Sequence, residues 1–375
     1  MNFSPNFVHF VVAPHGERSN LNYHLMGMET HQIDIVLLPF YAIVVLLGIP
    51  GNILFITVVK RSRNMHTTTN FLLANIAVAD TITLIFCIPG VILQFAVEHH
   101  PRGALGNFLC KFVTMHHVPG VTLLVSGISL TLISIERHNA LLRPMEETLR
   151  LRKKQVYIAV CLIWTFSVSF VLPLFVEQKY VDEVKSCHMD WKPSASKVYW
   201  GLLAALTMLS LLVMLVCYFR IVKGILCEDI LPSDTSQGEK TKEQDIHSKR
   251  KIVKLLITVT VLFIACFVPF AAISAMNVSV HSLSYKLSYF LVYCSCSLNP
   301  VVYAFQSSNY RKGVKNVYAN RRRRTHANQL PEGTNLAMHG VTHDAIEKYI
   351  GNVHASGNIH LQEGLNGGVH MSVVG

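Results

Sequence analysis

The chain has 375 residues, 51% of them hydrophobic and only 15% charged, where a soluble domain is nearer a quarter charged. Mean hydropathy is positive, and stretches long enough to span a bilayer take up about half the chain, which leaves no room for a separate soluble catalytic domain. The formal net charge of +11 fits an anionic lipid leaflet better than a nucleic acid, because the basic residues cluster beside apolar stretches.

Residues 1–34 are expected to form a polar outer tail, with Asn2-Phe3-Ser4 matching the N-glycosylation pattern. The apolar segment 7–13 is short and no basic residue precedes it, so the first span is expected to direct insertion. Seven apolar stretches follow, at 35–59, 71–95, 108–135, 156–176, 198–222, 252–275 and 283–305. A helix needs about 20 mainly apolar residues to cross a bilayer. Each stretch also carries polar or proline residues that a plain anchor would not need. Asp80 lies near the middle of the second, where a carboxylate is costly unless paired or hydrated. The expected fold is an all-α membrane protein, a seven-transmembrane helix bundle over 35–305 with a polar interior.

Charge between the spans orients the bundle. Basic residues cluster after span 1 (Lys60, Arg61, Arg63), after span 3 (Arg143, Arg150, Arg152, Lys153, Lys154), before span 6 (Lys249, Arg250, Lys251) and after span 7 (Arg311, Lys312, Lys315 and four arginines at 321–324). The alternate loops are mixed or neutral. Cytoplasmic loops carry the excess of Lys and Arg, which puts the amino terminus outside and the carboxyl terminus inside. Of nine cysteines, only Cys110 and Cys187 then reach the outer face. Two thiols in an oxidising compartment suggest a bridge pinning the loop before span 5 over the bundle; the alternative is two unrelated free thiols. Asn277-Val278-Ser279 is a second glycosylation match, close to the membrane. The loop at 223–248 is polar, residues 306–320 suit a basic amphipathic helix on the inner leaflet, and 321–375 read as a disordered cytoplasmic tail.

The spans end or break in recognisable ways. Span 3 closes on Ile135-Glu136-Arg137-His138 and span 7 on Asn299-Pro300-Val301-Val302-Tyr303. Span 6 holds Phe263, Cys266, Phe267 and Pro269; span 1 holds Gly51-Asn52, span 2 Asn75 and Asp80, and span 4 Trp164. In this order they resemble the rhodopsin-like (class A) G protein-coupled receptors, over residues 37–310.

The resemblance implies a plasma-membrane receptor, not an enzyme, that signals to a heterotrimeric G protein when helix 6 opens, with arrestin as a further partner. Asp80, Ser126, Ser295 and Asn299 would line a hydrated cavity for an allosteric sodium ion; no other cofactor or metal is expected. Pro269 and Pro300 would be swivel points beside Phe263, Phe267 and Asn299. Arg137 would pair with Glu136 at rest, then release towards the G protein with Tyr218 and Tyr303, and Met145 would insert into that partner.

Several positions depart from the family pattern. Phe267 stands where tryptophan is usual, Ser210 where span 5 has proline, and Lys249 where an acid often opposes the arginine. Cys110 precedes Arg137 by two residues more than usual, implying a bulge or shifted start near Pro119-Gly120. No cysteine follows Tyr303 to carry a lipid.

Span 3 lacks an Asp between Met115 and Ser126, and Tyr293 occupies the place where visual pigments attach retinal through lysine. Neither an amine receptor nor a photopigment fits. The outer mouth is aromatic and hydrogen-bonding, with Gln94, His116, His117, Tyr199, Trp200, Asn277, Tyr285, Tyr289 and Tyr293, and resembles the style of neuropeptide receptors. These rings could equally be interfacial belt residues. A receptor for a small molecule or lipid, or a constitutively active one, is the alternative. A transporter or channel is a remote one, since Asp80 is the one charged side chain deep in the spans.

Overall fold

The structure is a computed structural model that describes residues 18–96, 100–143, 145–146, 148, 150–183, 186–226, 239–275, 282–328, 362–363 and 369–370. Side chains of 18–34, 94–96, 186, 193, 226, 239–249, 274–275, 320–328, 362–363 and 369–370 fall outside the described ones. Two compact units divide at 319/320.

In the first unit, helix α1 (Arg18–Arg61) is followed by α2 (Thr68–Ala96), the short α3 (Gly103–Leu109), a π-helical turn at Cys110–Thr114, α4 (His117–Leu142) and α5 (Lys153–Glu177). A hairpin of β1 (Gln178–Val181) and β2 (Ser186–Met189) leads to α6 (Pro193–Leu226), α7 (Glu239–Ala275) and α8 (Leu283–Gln306), and α9 (Ser308–Asn328) runs across the 319/320 boundary. In the second unit, β3 (Gln362–Glu363) pairs antiparallel with β4 (Val369–His370). Among the described residues, seven segments are long and apolar enough to cross a membrane, within α1, α2, α3 to α4, α5, α6, α7 and α8. Helix α1 begins at Arg18, inside the segment expected to be a tail, and α9 extends to Asn328 over the four arginines.

Helix α4 is central and packs against α2, α5, α6 and α7. The main core lies around its Arg137 end, where Leu130 and Ile133 meet Phe55, Leu72, Leu73, Ile76, Met214, Leu256 and Tyr303. Close approach of helices explains two glycines. A Cβ at Gly51 would sit 2.8 Å from the Pro300 ring, and one at Gly313 would sit 2.5 Å from Val58. The first lets α1 meet α8, and the second seats α9 against α1. Prolines 269 and 300 lie inside continuous α7 and α8, each removing one backbone hydrogen bond. Helix α6 runs unbroken past Ser210.

Candidate functional site

At the disulfide end, Cys110 and Cys187 are bonded to each other, with Cα atoms 5.6 Å apart. This ties the β1–β2 hairpin to the start of the third span. The His100 ring stacks on Tyr180 at 5.2 Å and its Nε2 lies 3.0 Å from Thr114 Oγ1. The Tyr180 backbone N–H donates to Asn107 Oδ1 at 2.7 Å. The hairpin is therefore fastened at several points by contacts independent of its own sequence pattern.

The irregularity expected near Pro119-Gly120 lies upstream. Those two residues sit inside α4, where Gly120 N–H donates to the His116 carbonyl at 2.9 Å. The extra chain length is taken up by the π-helical turn and by His116, whose φ of 54° is left-handed. It is the one non-glycine residue with positive φ among the described residues, and such backbone costs about 1–2 kcal/mol. The turn aims the ring at α8, where His116 Nδ1 lies 3.1 Å from Tyr293 Oη and the ring packs on Tyr289 at 4.5 Å.

His117 points the opposite way, edge-on to Phe175 of α5 at 5.3 Å. The nine residues expected at one mouth therefore divide. His116, Tyr285, Tyr289 and Tyr293 form one cluster with Phe270 and Tyr41. Tyr199 and Trp200 belong to another, with Trp191 and Phe170. Asn277 and Asn2 lie outside the described residues, and the side chain of Gln94 outside the described ones.

Rings continue inward along α7. Tyr289 meets Phe270 at 4.7 Å, Phe270 meets Phe267 at 6.1 Å, and Phe267 stacks on Phe263 at 5.8 Å with planes 5° apart. This ladder passes Pro269 and ends against Gly127 of α4, where an added Cβ would be 3.6 Å from the Phe263 ring. Phe267 therefore keeps an aromatic contact despite lacking an indole.

In the centre, Asn299 Nδ2 donates to Asp80 Oδ2 at 2.8 Å. Ser126, Ser295 and Asn299 are all buried, as is Asp80, which is 4% exposed. Nearby, Trp164 Nε1 donates to Asn75 Oδ1 at 2.8 Å and Asn75 Nδ2 donates to Ser129 at 3.0 Å. Asn52 donates to the Cys296 carbonyl at 2.9 Å, while its Oδ1 has no partner among the described residues.

At the other end, Glu136 does not pair with Arg137. No ion pair joins them among the described residues. The carboxylate instead accepts from Thr68 Oγ1 at 3.0 Å and from the Leu151 backbone N–H at 3.1 Å, so it holds α2 and the following loop together. Arg137 donates to Thr69 Oγ1. Both partners come from the start of α2, which places carboxylate and guanidinium on separate acceptors and donors rather than on each other. Tyr218 reaches Thr260 of α7 at 3.2 Å. The Tyr303 ring packs on Phe55 at 4.2 Å beside Tyr310 of α9, and its hydroxyl is buried without a partner among the described residues. Met145 is 87% exposed. The side chain of Lys249 is outside the described ones.

Sequence reasoning missed two residues. Gln178, the first residue of β1, is fully buried and faces His117, and its Nε2 donates to the His188 carbonyl at 3.0 Å. Lys286, one turn into α8, is only 7% exposed. A lysine just after a neutral loop was the available signal.

The conserved pattern of the 7 transmembrane receptor (rhodopsin family) matches residues 51–303. Neuropeptide FF receptor 2 of Rattus norvegicus is 27% identical, over 80% of this chain and 77% of its own length. A QRFP-like peptide receptor of Branchiostoma floridae is 27% identical, over 80% and 81%. Neuropeptide Y receptor type 2 of Macaca mulatta is 29% identical, over 76% and 77%. With seven spans in order and a match over two thirds of its length, the chain is a multi-pass membrane receptor of the rhodopsin family, the class A G protein-coupled receptors, and not an enzyme.

Proposed function

We propose that the protein is a plasma-membrane receptor with its amino terminus outside, activated by an extracellular peptide. The bundle exchanges information between its ends without covalent chemistry. The observation that carries this is the unbroken ring ladder from His116 and Tyr289 through Phe270 and Phe267 to Phe263, past Pro269. A ligand pressing on Tyr289 displaces Phe270 and, through Pro269, biases the Arg137 end of α7. An agonist must bind the open arrangement better than the closed one for this to work.

Support for a peptide comes from the tethered hairpin over the aromatic mouth and from relatives named for neuropeptides. The distribution of basic residues supports the orientation. Opening of α7 breaks Tyr218–Thr260 and frees the region around Arg137 for the terminal helix of a heterotrimeric G protein, with Met145 free to insert.

The central residues also fit a monovalent cation: a buried carboxylate that accepts from Asn299, with Ser126 and Ser295 also buried, and hard cations take oxygen ligands. A sodium ion there would neutralise Asp80 and favour the closed arrangement. Sodium should raise the melting temperature of the receptor relative to choline, and Asp80→Asn should remove that difference.

A peptide library applied to cells with readouts for several G proteins tests the main reading. A peptide signal should appear, and Arg137→Ala should abolish it while ligand binding and surface expression persist. Signal surviving Arg137→Ala rejects the switch role, and high basal signal with no response to any peptide rejects peptide activation.

A further inference from the structure

At the disulfide end, a single nitrogen faces both sulfurs. His100 Nε2 lies 3.5 Å from Cys187 Sγ and 3.8 Å from Cys110 Sγ. The other ring nitrogen, Nδ1, lies 3.0 Å from the Pro101 carbonyl oxygen. A carbonyl only accepts, so Nδ1 carries the ring proton and Nε2 turns a lone pair towards the sulfurs. The ring is held in that attitude. It stacks on Tyr180 with planes 19° apart, and Gly106 lets the Pro101 carbonyl come close, since a Cβ there would collide with that oxygen. A histidine whose second nitrogen donates to a backbone carbonyl has the tautomer and orientation that metal-bound histidines have.

The spacing suits a shared metal ion. Around a tetrahedral Zn²⁺, with Zn–S about 2.3 Å and Zn–N about 2.0–2.1 Å, a sulfur and a nitrogen stand roughly 3.5–3.6 Å apart. One of the two N···S distances matches this and the other is slightly longer. The remaining requirement is that the sulfurs part from each other, which reduction of the bridge allows. Charge fits as well. Cys110 is fully buried and Cys187 is 7% exposed, where an unpaired charge would be costly. Two thiolates neutralise Zn²⁺ and a neutral imidazole adds nothing, so the loaded site carries no net charge.

We propose that Cys110, Cys187 and His100 form a zinc site that replaces the disulfide when the bridge is reduced. A dithiol supplies two electrons and two protons, closes its own disulfide and leaves Cys110 and Cys187 as thiols. Zn²⁺ then displaces both thiol protons to water and binds the two sulfurs and His100 Nε2. A water held by Thr114 Oγ1, which lies 3.0 Å from Nε2, is the fourth ligand. Cys110 opens the π-helical turn before α4 and Cys187 lies in β2, so the ion keeps the hairpin fastened to the third span without the covalent bond. Re-oxidation expels the ion, because the thiolate is the metal ligand and a disulfide has none.

The test compares full-length receptor in its oxidised form with receptor reduced by a phosphine, which takes oxygen from water to become its oxide and is removed before zinc chloride is added. Free cysteines elsewhere are thiols in both forms, so the difference between the forms isolates this site. Reduction should add one tightly held zinc ion per receptor, counted by elemental mass spectrometry. His100→Ala should weaken that ion at least about 10-fold, the lower end of what even a supporting partner of a metal ligand is worth, read by competition with a zinc-chelating dye. His100→Cys, which supplies a third thiolate, should keep it. Zinc should also raise the melting temperature of the reduced receptor and leave that of the oxidised one unchanged. No added zinc on reduction overturns the site, as does equal affinity in the reduced His100→Ala variant. A reduced receptor that shows no zinc-dependent melting transition, or an equal shift in the oxidised form, overturns it too. Zinc is counted without peptide or G protein, so failure here leaves the receptor reading intact.

Discussion

The two ends of the bundle use different chemistry. Around Arg137, polar side chains meet in separate pairs, Glu136 with Thr68 and the Leu151 backbone, Arg137 with Thr69 and Tyr218 with Thr260, although Arg137 Nε and Tyr303 Oη are buried without partners among the described residues. At the disulfide end, rings lie on rings, and His117 faces the buried Gln178. Directional pairs hold one arrangement until something breaks them. Stacked rings can take a new occupant at small cost, because each ring keeps most of its apolar contact when it shifts. One end is a latch and the other a receptacle.

This contrast can be broken most severely at the receptacle. Cys187→Ser should cost about 2–5 kcal/mol, seen as a lower melting temperature together with loss of ligand binding; a variant that melts lower but binds normally would show that the hairpin is not part of the receptacle. Next, Glu136→Ala at the latch leaves Thr68 Oγ1 and Leu151 N–H without their acceptor, at about 2–3 kcal/mol. It should also raise ligand-independent signalling, and unchanged basal signal would mean that those pairs do not restrain the switch.

Smaller effects sharpen the comparison. His116→Ala and His116→Gly both delete the imidazole and its contact with Tyr293, but glycine accepts a φ of 54° without penalty. The glycine variant should be more stable than the alanine one by about 1 kcal/mol, measured as a difference in thermal stability, while both lose ligand potency equally. Equal stability would indicate that the backbone there relaxes. Smallest of all, Lys179→Ala should change stability by less than about 0.5 kcal/mol, since its 3.3 Å pair with Asp190 is largely exposed.

Some of this was legible because it is local. A single Asp in an apolar span, a proline inside a helix or an Arg at a helix end stands out against its neighbours in the chain. Asp80, Pro269, Pro300 and Arg137 all declare themselves this way. The partner of Glu136 did not, because the nearest opposite charge in sequence is Arg137, while the acceptor geometry is settled by a hydroxyl 68 residues earlier and by a loop N–H. Spacing between Cys110 and Arg137 revealed surplus chain but not where it goes. Strand β1, His100 and the disulfide fix the upper segment, so the surplus is absorbed between Cys110 and His116 and leaves α4 regular through Pro119.

The amino-acid sequence by itself determined the number of spans, the polar centre and the family, because burial in lipid demands continuous apolar helices and penalises every exception. Only the tertiary structure decided that His116 and His117 face opposite walls, that Tyr303 rests on Phe55, and that Glu136 meets Thr68 and the Leu151 backbone. Each of those depends on the rotation of one helix against another. Helix packing sets that rotation through side-chain shape at contacts far apart in the chain, and no periodicity along one segment encodes it.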